Sequence, residues 1–252
     1  MPLPSCNASP LGLASVSFRR LSPAEVAAAA VHAGLDGIEW GGDIHCPPGD
    51  EAKAKQAARL TQEHGLRVLS YGSYYRLGEG MDFSPVLHTA QLLSAPVIRI
   101  WAGNRPYSAL TPEDLQRCGQ EVAAIAQTLP EGIRLAFEYH PGTATESAEG
   151  TLSLLSACAG EADTYWQMNP ALSVDENLRE LRALSGQVSR VHVFFCRPDG
   201  ERCPLQQGTS AWERFTAALN RPVPYIFEFF RGDSVRRMQA DVAFFQKLCH
   251  RT

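Results

Sequence analysis

The sequence has no Cys-x-x-Cys pair, no glycine-rich loop behind its first apolar run, no long uninterrupted apolar segment and no excess of basic residues. Each absence closes off a class of function. The seven cysteines, Cys6, Cys46, Cys118, Cys158, Cys196, Cys203 and Cys249, are scattered and odd in number. They indicate neither a zinc ribbon nor a closed disulfide framework, and scattered thiols suit a reducing cytoplasm. No basic stretch leads into a long apolar run at the N-terminus, so no signal peptide is expected. No apolar segment reaches the ~18 residues of a membrane span. The expectation is a cytoplasmic protein with no membrane partner. A formal net charge of −4 argues against nucleic acid as a partner, because a phosphate backbone rewards an excess of Lys and Arg. The loop after the first apolar run reads Phe18-Arg19-Arg20-Leu21. A doubly wound dinucleotide-binding sheet usually carries its glycine fingerprint there.

What is present is regular alternation. The chain has 252 residues, 44% hydrophobic and 20% charged, ordinary usage for one large α/β domain. Eight short apolar runs read as strands: Leu11–Ser17, Gly37–Trp40, Arg67–Tyr71, Val97–Trp101, Arg134–Tyr139, Tyr165–Asn169, Arg190–Phe195 and Tyr225–Phe229. Helical stretches lie between them. Ser22-Pro23-Ala24-Glu25 and Thr111-Pro112-Glu113-Asp114 are capping boxes with proline at the first helical position. Ser84-Pro85 starts the third helix, Asp50 caps the second and Ser234 the eighth. The sixth and seventh helices fall near Val174–Leu184 and Ser210–Leu219. Gly34, Gly65 and Gly132 stand just before strands, where a helix ends on a left-handed residue. Eight βα units at roughly 31 residues each predict a single (β/α)₈ TIM barrel over residues 1–252.

In such a barrel the side chains at the C-terminal ends of the strands line the site. Polar groups standing there in otherwise apolar runs are therefore the candidates. Strand alternation places Ala136, Glu138 and His140 on one face of the fifth strand. Glu228 is alone in Tyr225-Ile226-Phe227-Glu228-Phe229-Phe230, and His192 is alone in the seventh strand. A buried carboxylate needs a cation, a proton or a strong donor. The sixth strand ends on Asn169, with Gln167 on the same face. Glu138, Asn169, His192 and Glu228 together offer oxygens and an imidazole, which suit a divalent cation such as Mn²⁺, Mg²⁺ or Zn²⁺.

These stretches resemble the xylose isomerase-like TIM barrels, a group of sugar isomerases and epimerases related to endonuclease IV. The resemblance runs through Ala33-Gly34-Leu35-Asp36-Gly37-Ile38-Glu39-Trp40, Leu135-Ala136-Phe137-Glu138-Tyr139-His140-Pro141, Val191-His192-Val193, the stretch from Leu205 to Trp212, and Phe227-Glu228-Phe229. It implies one divalent metal held by Glu138, Asn169, His192 and Glu228. Asn169 departs from the pattern, since the family usually places Asp before that proline. The implied ligand set then carries two negative charges instead of three. The family's Asp after the seventh-strand motif is also missing, replaced by Phe195 and Cys196.

The resemblance further implies proton transfer next to the carbonyl of a sugar or keto-polyol through an enediolate, with Glu138 and Glu228 as the acid–base pair. His140 on the face of Glu138, Glu39 at the end of the second strand and Trp101 at the end of the fourth are placed to contact a substrate, and the resemblance adds Arg197 on the loop after the seventh strand, with Arg202 an equal candidate. A related lyase or dehydratase shares the same enolate. A metal-free barrel that binds a small ligand without turnover is the third reading, and Asn169 motivates it. The endonuclease branch uses extra histidines, which the third and fourth strand ends (Ser70-Tyr71-Gly72-Ser73 and Ile100-Trp101-Ala102-Gly103) do not supply. Members of the family often form homo-oligomers.

Overall fold

The computed structural model describes residues 9–219 and 221–250. Eight parallel strands close into a barrel in sequence order: β1 (Leu11–Ala14), β2 (Gly37–Gly41), β3 (Arg67–Arg76), β4 (Val97–Trp101), β5 (Arg134–Phe137), β6 (Ala162–Trp166), β7 (Val188–Val193) and β8 (Tyr225–Phe227). Around them lie α1 (Pro23–His32), α2 (Glu51–Glu63), α3 (Ser84–Leu93), α4 (Pro112–Ala126), α5 (Ala148–Ala157), α6 (Val174–Leu184), α7 (Thr209–Ala218) and α8 (Val235–His250). This is the expected (β/α)₈ TIM barrel.

The helix starts follow the local chemistry. Ser22 and Thr111 each close a full capping box, with Glu25 and Asp114 reaching back. Ser173 makes a third with Glu176, and Asp50 accepts from Lys53 N. Each such cap is worth about 1 kcal/mol. At α3 the capping acceptor is not Ser84, which is already helical, but the Asp82 carboxylate, which accepts from Ser84 N. Gly34, Gly65 and Gly132 all have positive φ (72°, 67° and 89°).

Strand alternation divides the core in two. Outward residues such as Ile38, Trp40, Ile98, Ile100, Phe137, Trp166, Val191 and Phe227 pack under the helices. Inward residues Ala14, Leu69, Val97, Ala136, Tyr165 and Ile226 fill the lower barrel. Leu69 reaches across the positions of Gly12 and Gly37, where an added Cβ would meet its side chain at 2.3 and 2.8 Å. Two strands are displaced from their expected positions. β6 and β7 begin at Ala162 and Val188 and end at Trp166 and Val193, because polar Asp163 and Ser189 lie at the bottom rim of otherwise buried runs. Gln167 to Asn169 and Phe194-Phe195 therefore lie in loops.

Cys46, Cys118, Cys158, Cys196 and Cys203 are free thiols, whereas Cys249 is disulfide-bonded. Among the described residues no helix is long and apolar enough to cross a membrane.

Candidate active site

At the C-terminal end of the barrel the inward positions turn from apolar to charged. Glu39 on β2, Arg99 on β4, Glu138 just past β5, His192 on β7 and Glu228 just past β8 point into one space, none more than 5% exposed. Four of them are candidates from the sequence. Arg99 is not among those candidates, although it stands alone between Ile98 and Ile100 just as Glu228 stands alone in its own run.

Arg99 organises the cluster. Its Nη1 is ion-paired with Glu138 Oε2, and its Nε lies 3.3 Å from Glu39 Oε1. The guanidinium lies against β3 at Gly72, where a Cβ would come within 2.5 Å of Nη2 and 3.2 Å of Cζ. Glycine is what leaves this channel open. The Tyr74 ring also lies against the guanidinium, its centroid 5.6 Å from Cζ. Tyr74 has a left-handed backbone (φ 60°), a conformation that costs a non-glycine residue about 1–3 kcal/mol and clusters at functional sites. Burial opposes charge on Arg99. Glu39, Tyr74, Tyr165 and Glu228 together outweigh that opposition, and the guanidinium's pKa rises.

His192 sits between acceptors. Nε2 is 3.3 Å from Glu39 Oε1, and Nδ1 is 3.1 Å from Gln167 Oε1. Glu228 Oε1 and Glu138 Oε1 lie 3.2 and 3.9 Å from Nδ1. Burial pushes the imidazolium toward deprotonation, but the charges of Glu228 and Glu39 win and raise its pKa to about 9. Glu39 is the counterpart. Burial pushes its carboxyl up, but Arg99, then His192, then hydrogen bonds from His192 and from Ser70 Oγ (2.8 Å) hold it well below the usual carboxylate range. Glu228 differs from its neighbours. Its Oε1 is fully buried and lies 3.2 Å from His192 Nδ1, yet it accepts no hydrogen bond of good geometry.

The remaining candidates divide. Trp101 and His140 lie at the barrel mouth with ring centroids 4.5 Å apart, and Tyr74 stacks on the Trp101 indole at 6.3 Å. Burial lowers the His140 pKa, and its Nδ1 lies 2.7 Å from Pro141 O. Arg76 lies over the same indole, 4.1 Å from the ring centroid. Asn169 is not brought to the cluster. Its Oδ1 accepts from Ala171 N at 3.0 Å, and its backbone is pinned by Asn177. The β6 side of the cluster is supplied by Gln167 instead. Arg197 is not brought there either: it pairs with Glu201 at 2.6 Å across its own loop, which the Cys196–Arg202 bridge closes. Arg202 pairs with Asp233 at 2.7 Å.

The donor set can be tested against the implied metal. Of its four expected ligands, Asn169 has its carboxamide oxygen in its own loop, Glu138 is paired with Arg99, and both His192 nitrogens face acceptors. Among the described residues no group of three or more His, Cys, Asp or Glu side chains is arranged to hold a metal ion. The residues do not fit a divalent cation as they stand.

No family model matches the chain, and no curated protein matches it. Solved structures do. The probable 3-DHS dehydratase AsbF of Bacillus anthracis, involved in petrobactin synthesis, aligns at a TM-score of 0.78 and 15% identity over 93% of this chain and 97% of its own. The 3-keto-D-glucoside 4-epimerase YcjR of E. coli aligns at 0.73 and 12% over 95% and 99%. A xylose isomerase domain containing protein of Salmonella typhimurium LT2 aligns at 0.70 and 14% over 96% and 97%. At such identities the likeness is one of fold: this chain shares the (β/α)₈ barrel of these proteins along essentially its whole described length.

Proposed function

We propose that this protein catalyses proton transfer at the carbon beside a carbonyl of a small sugar or keto-polyol, as an isomerase or epimerase. The observation that carries the reading is Glu228 Oε1, a buried carboxylate oxygen with no hydrogen bond, at the C-terminal end of a barrel strand. No hydrogen-bond donor of the described chain fills this oxygen's acceptor site, so it is open to receive a substrate proton. In the proposed step it removes the proton from the substrate carbon, and the electron pair moves onto the carbonyl oxygen. Return of the proton to the former carbonyl carbon, with the hydroxyl proton passing from its own oxygen to the former carbonyl oxygen, isomerises the substrate. Return to the opposite face of the same carbon epimerises it. Glu138, whose Oε1 lies 3.9 Å from the same His192 nitrogen, is the candidate for the second proton-handling group. Tyr74, Trp101 and His140 would wall the substrate at the mouth, with Glu39 held for a hydroxyl.

The epimerase among the structural neighbours supports this class. A second reading, loss of water from the same enolate, is favoured by the dehydratase at a TM-score of 0.78. Both begin with the same proton abstraction, so one experiment tests them. Ketoses and keto-polyols are incubated with the protein in D₂O, and deuterium at carbon is read by mass spectrometry and NMR. Exchange with a retained skeleton indicates isomerase or epimerase, and exchange with loss of water indicates the dehydratase. Glu228→Gln should lower the exchange rate by roughly 10²–10⁴-fold, the usual contribution of a positioned base. Exchange at the wild-type rate in that variant would remove Glu228 from the mechanism.

A further inference from the structure

We infer that Arg99 is the resident cation of this site: its guanidinium stands where a divalent metal would have to bind, and it, not a metal, meets the negative charge that develops on the substrate oxygen. The chemical half of this inference rests on the proton-transfer reading. The exclusion of metal stands on geometry alone.

Charge and space support it together. Glu39, Glu138 and Glu228 bring three carboxylates into one buried space with Arg99 and His192. Without a cation such a set would be strongly destabilising, and either a metal or a fixed positive side chain could satisfy it. Arg99 already does so, contacting Glu138 and Glu39 directly. The chain is built around that choice. Gly72 opens the channel in which Nη2 lies, Tyr74 adopts a left-handed backbone with its ring against the guanidinium, and Ser70 fixes the Glu39 carboxylate that faces Nε. Asn169, the position where a third ligand charge was expected, carries none and turns to its own loop. A neutral side chain on the β6 side and a buried cation on β4 both make the site less negative.

The chemistry follows from what a guanidinium is. It keeps its charge at any working pH and presents five N–H donors in a fixed plane. Held beside a forming enolate among buried side chains, such donors stabilise the oxygen without reorganising. The balance is simple. The C–H bond breaks toward the Glu228 carboxylate, the electron pair goes to the carbonyl oxygen, and the guanidinium donates a hydrogen bond to it without giving up its proton.

The test separates the two halves. Protein stripped with EDTA and dialysed is titrated with MnCl₂ by calorimetry and by thermal melting. Wild type should show no saturable heat and no rise in melting temperature up to millimolar Mn²⁺. Arg99→Met should gain a saturable Mn²⁺ response, and adding Glu138→Gln to it should remove that response. Wild-type Mn²⁺ binding that Glu138→Gln abolishes would overturn the inference, and this arm needs no variant at position 99 to fold. A folded Arg99→Met protein that ignores Mn²⁺ would also overturn the guanidinium's role in keeping metal out. In the D₂O assay, exchange should survive EDTA unchanged; exchange lost to EDTA and restored by Mn²⁺ overturns the chemical half. Absence of exchange with every substrate would instead remove the proton-transfer reading, while the MnCl₂ titration still decides whether Arg99 excludes metal.

Discussion

Two arginines are buried inside this barrel, and they are buried for different reasons. Arg190, near the N-terminal end of β7, is 8% exposed and donates from Nε and Nη2 to a single backbone oxygen, Leu69 O, at 3.2 and 2.9 Å. That oxygen belongs to the residue that β3 inserts opposite β2, where Ile38 pairs with Val68 but Glu39 pairs with Ser70. A bulged residue is left out of the ladder, and Arg190 reaches over the barrel floor to satisfy it. Arg99, at the other end, is 3% exposed and faces carboxylates. One cation repairs a backbone defect. The other neutralises side chains that have no reason to be buried except chemistry. The partner of a buried charge, more than its burial, separates scaffold from site.

The comparison is tested hardest by removing Arg99. Arg99→Met keeps apolar bulk and leaves Glu39 and Glu138 buried with one cation fewer. Breaking a buried ion pair from one side costs about 3–5 kcal/mol. At about 2–4 °C per kcal/mol for a domain of this size, the metal-free melting temperature should drop by roughly 6–20 °C. Adding Glu138→Gln should recover part of the loss, because it removes one of the uncompensated charges. A single variant as stable as wild type would mean that the carboxylates are not held by Arg99 at all.

Much of this site is legible in the sequence, and the part that is not has a physical explanation. Glu138, His192 and Glu228 can be found because a carboxylate or imidazole in an apolar strand is costly, and alternation turns them to the same side as Glu39. Arg99 obeys the same rule but gives a weaker signal. A long basic side chain can lay its stem on apolar surface and carry its charge out to water, so its presence in a strand does not by itself mark an inward charge. What marks it is Gly72, a glycine inside β3 whose missing Cβ makes sense only beside the guanidinium. Asn169 lies away from the cluster because β6 ends at Trp166. Glu138, Glu228 and Gln167 lie one residue past their strands and keep the alternation, but Asn169 lies three residues past, where alternation no longer fixes direction and an Asn two residues before an available N–H turns locally. Arg197 stays away for a similar reason, in a loop whose own Glu201 is nearer than the barrel axis.

A smaller effect sharpens the distinction from the backbone side. Gly72→Ala adds one methyl group 2.5 Å from Arg99 Nη2. The glycine does not have a positive φ, so the cost is crowding and not backbone strain. Forcing a methyl into a packed interior costs about 1–3 kcal/mol, and here the group that must yield is the guanidinium itself. Stability by urea denaturation should fall by that amount, and the deuterium-exchange rate should fall further than stability alone explains. A Gly72→Ala protein that is destabilised but exchanges normally would show that Arg99 can shift without consequence for the reaction.

The smallest effect is expected at Arg190, and it is the one that could break the comparison. Arg190→Met removes two hydrogen bonds to Leu69 O but also removes a charge with no carboxylate partner in its ion pairing. The net cost is that of one carbonyl left without its donors, about 1 kcal/mol. Because His192 and Arg190 share the inward face of β7 but sit at different depths, the polar cluster above should be undisturbed. Deuterium exchange should then stay at the wild-type rate while urea denaturation registers the loss. The opposite pattern, exchange falling with stability intact, would mean that the barrel floor helps to set the electrostatics of the mouth, and that the two arginines belong to one charged column instead of two separate solutions.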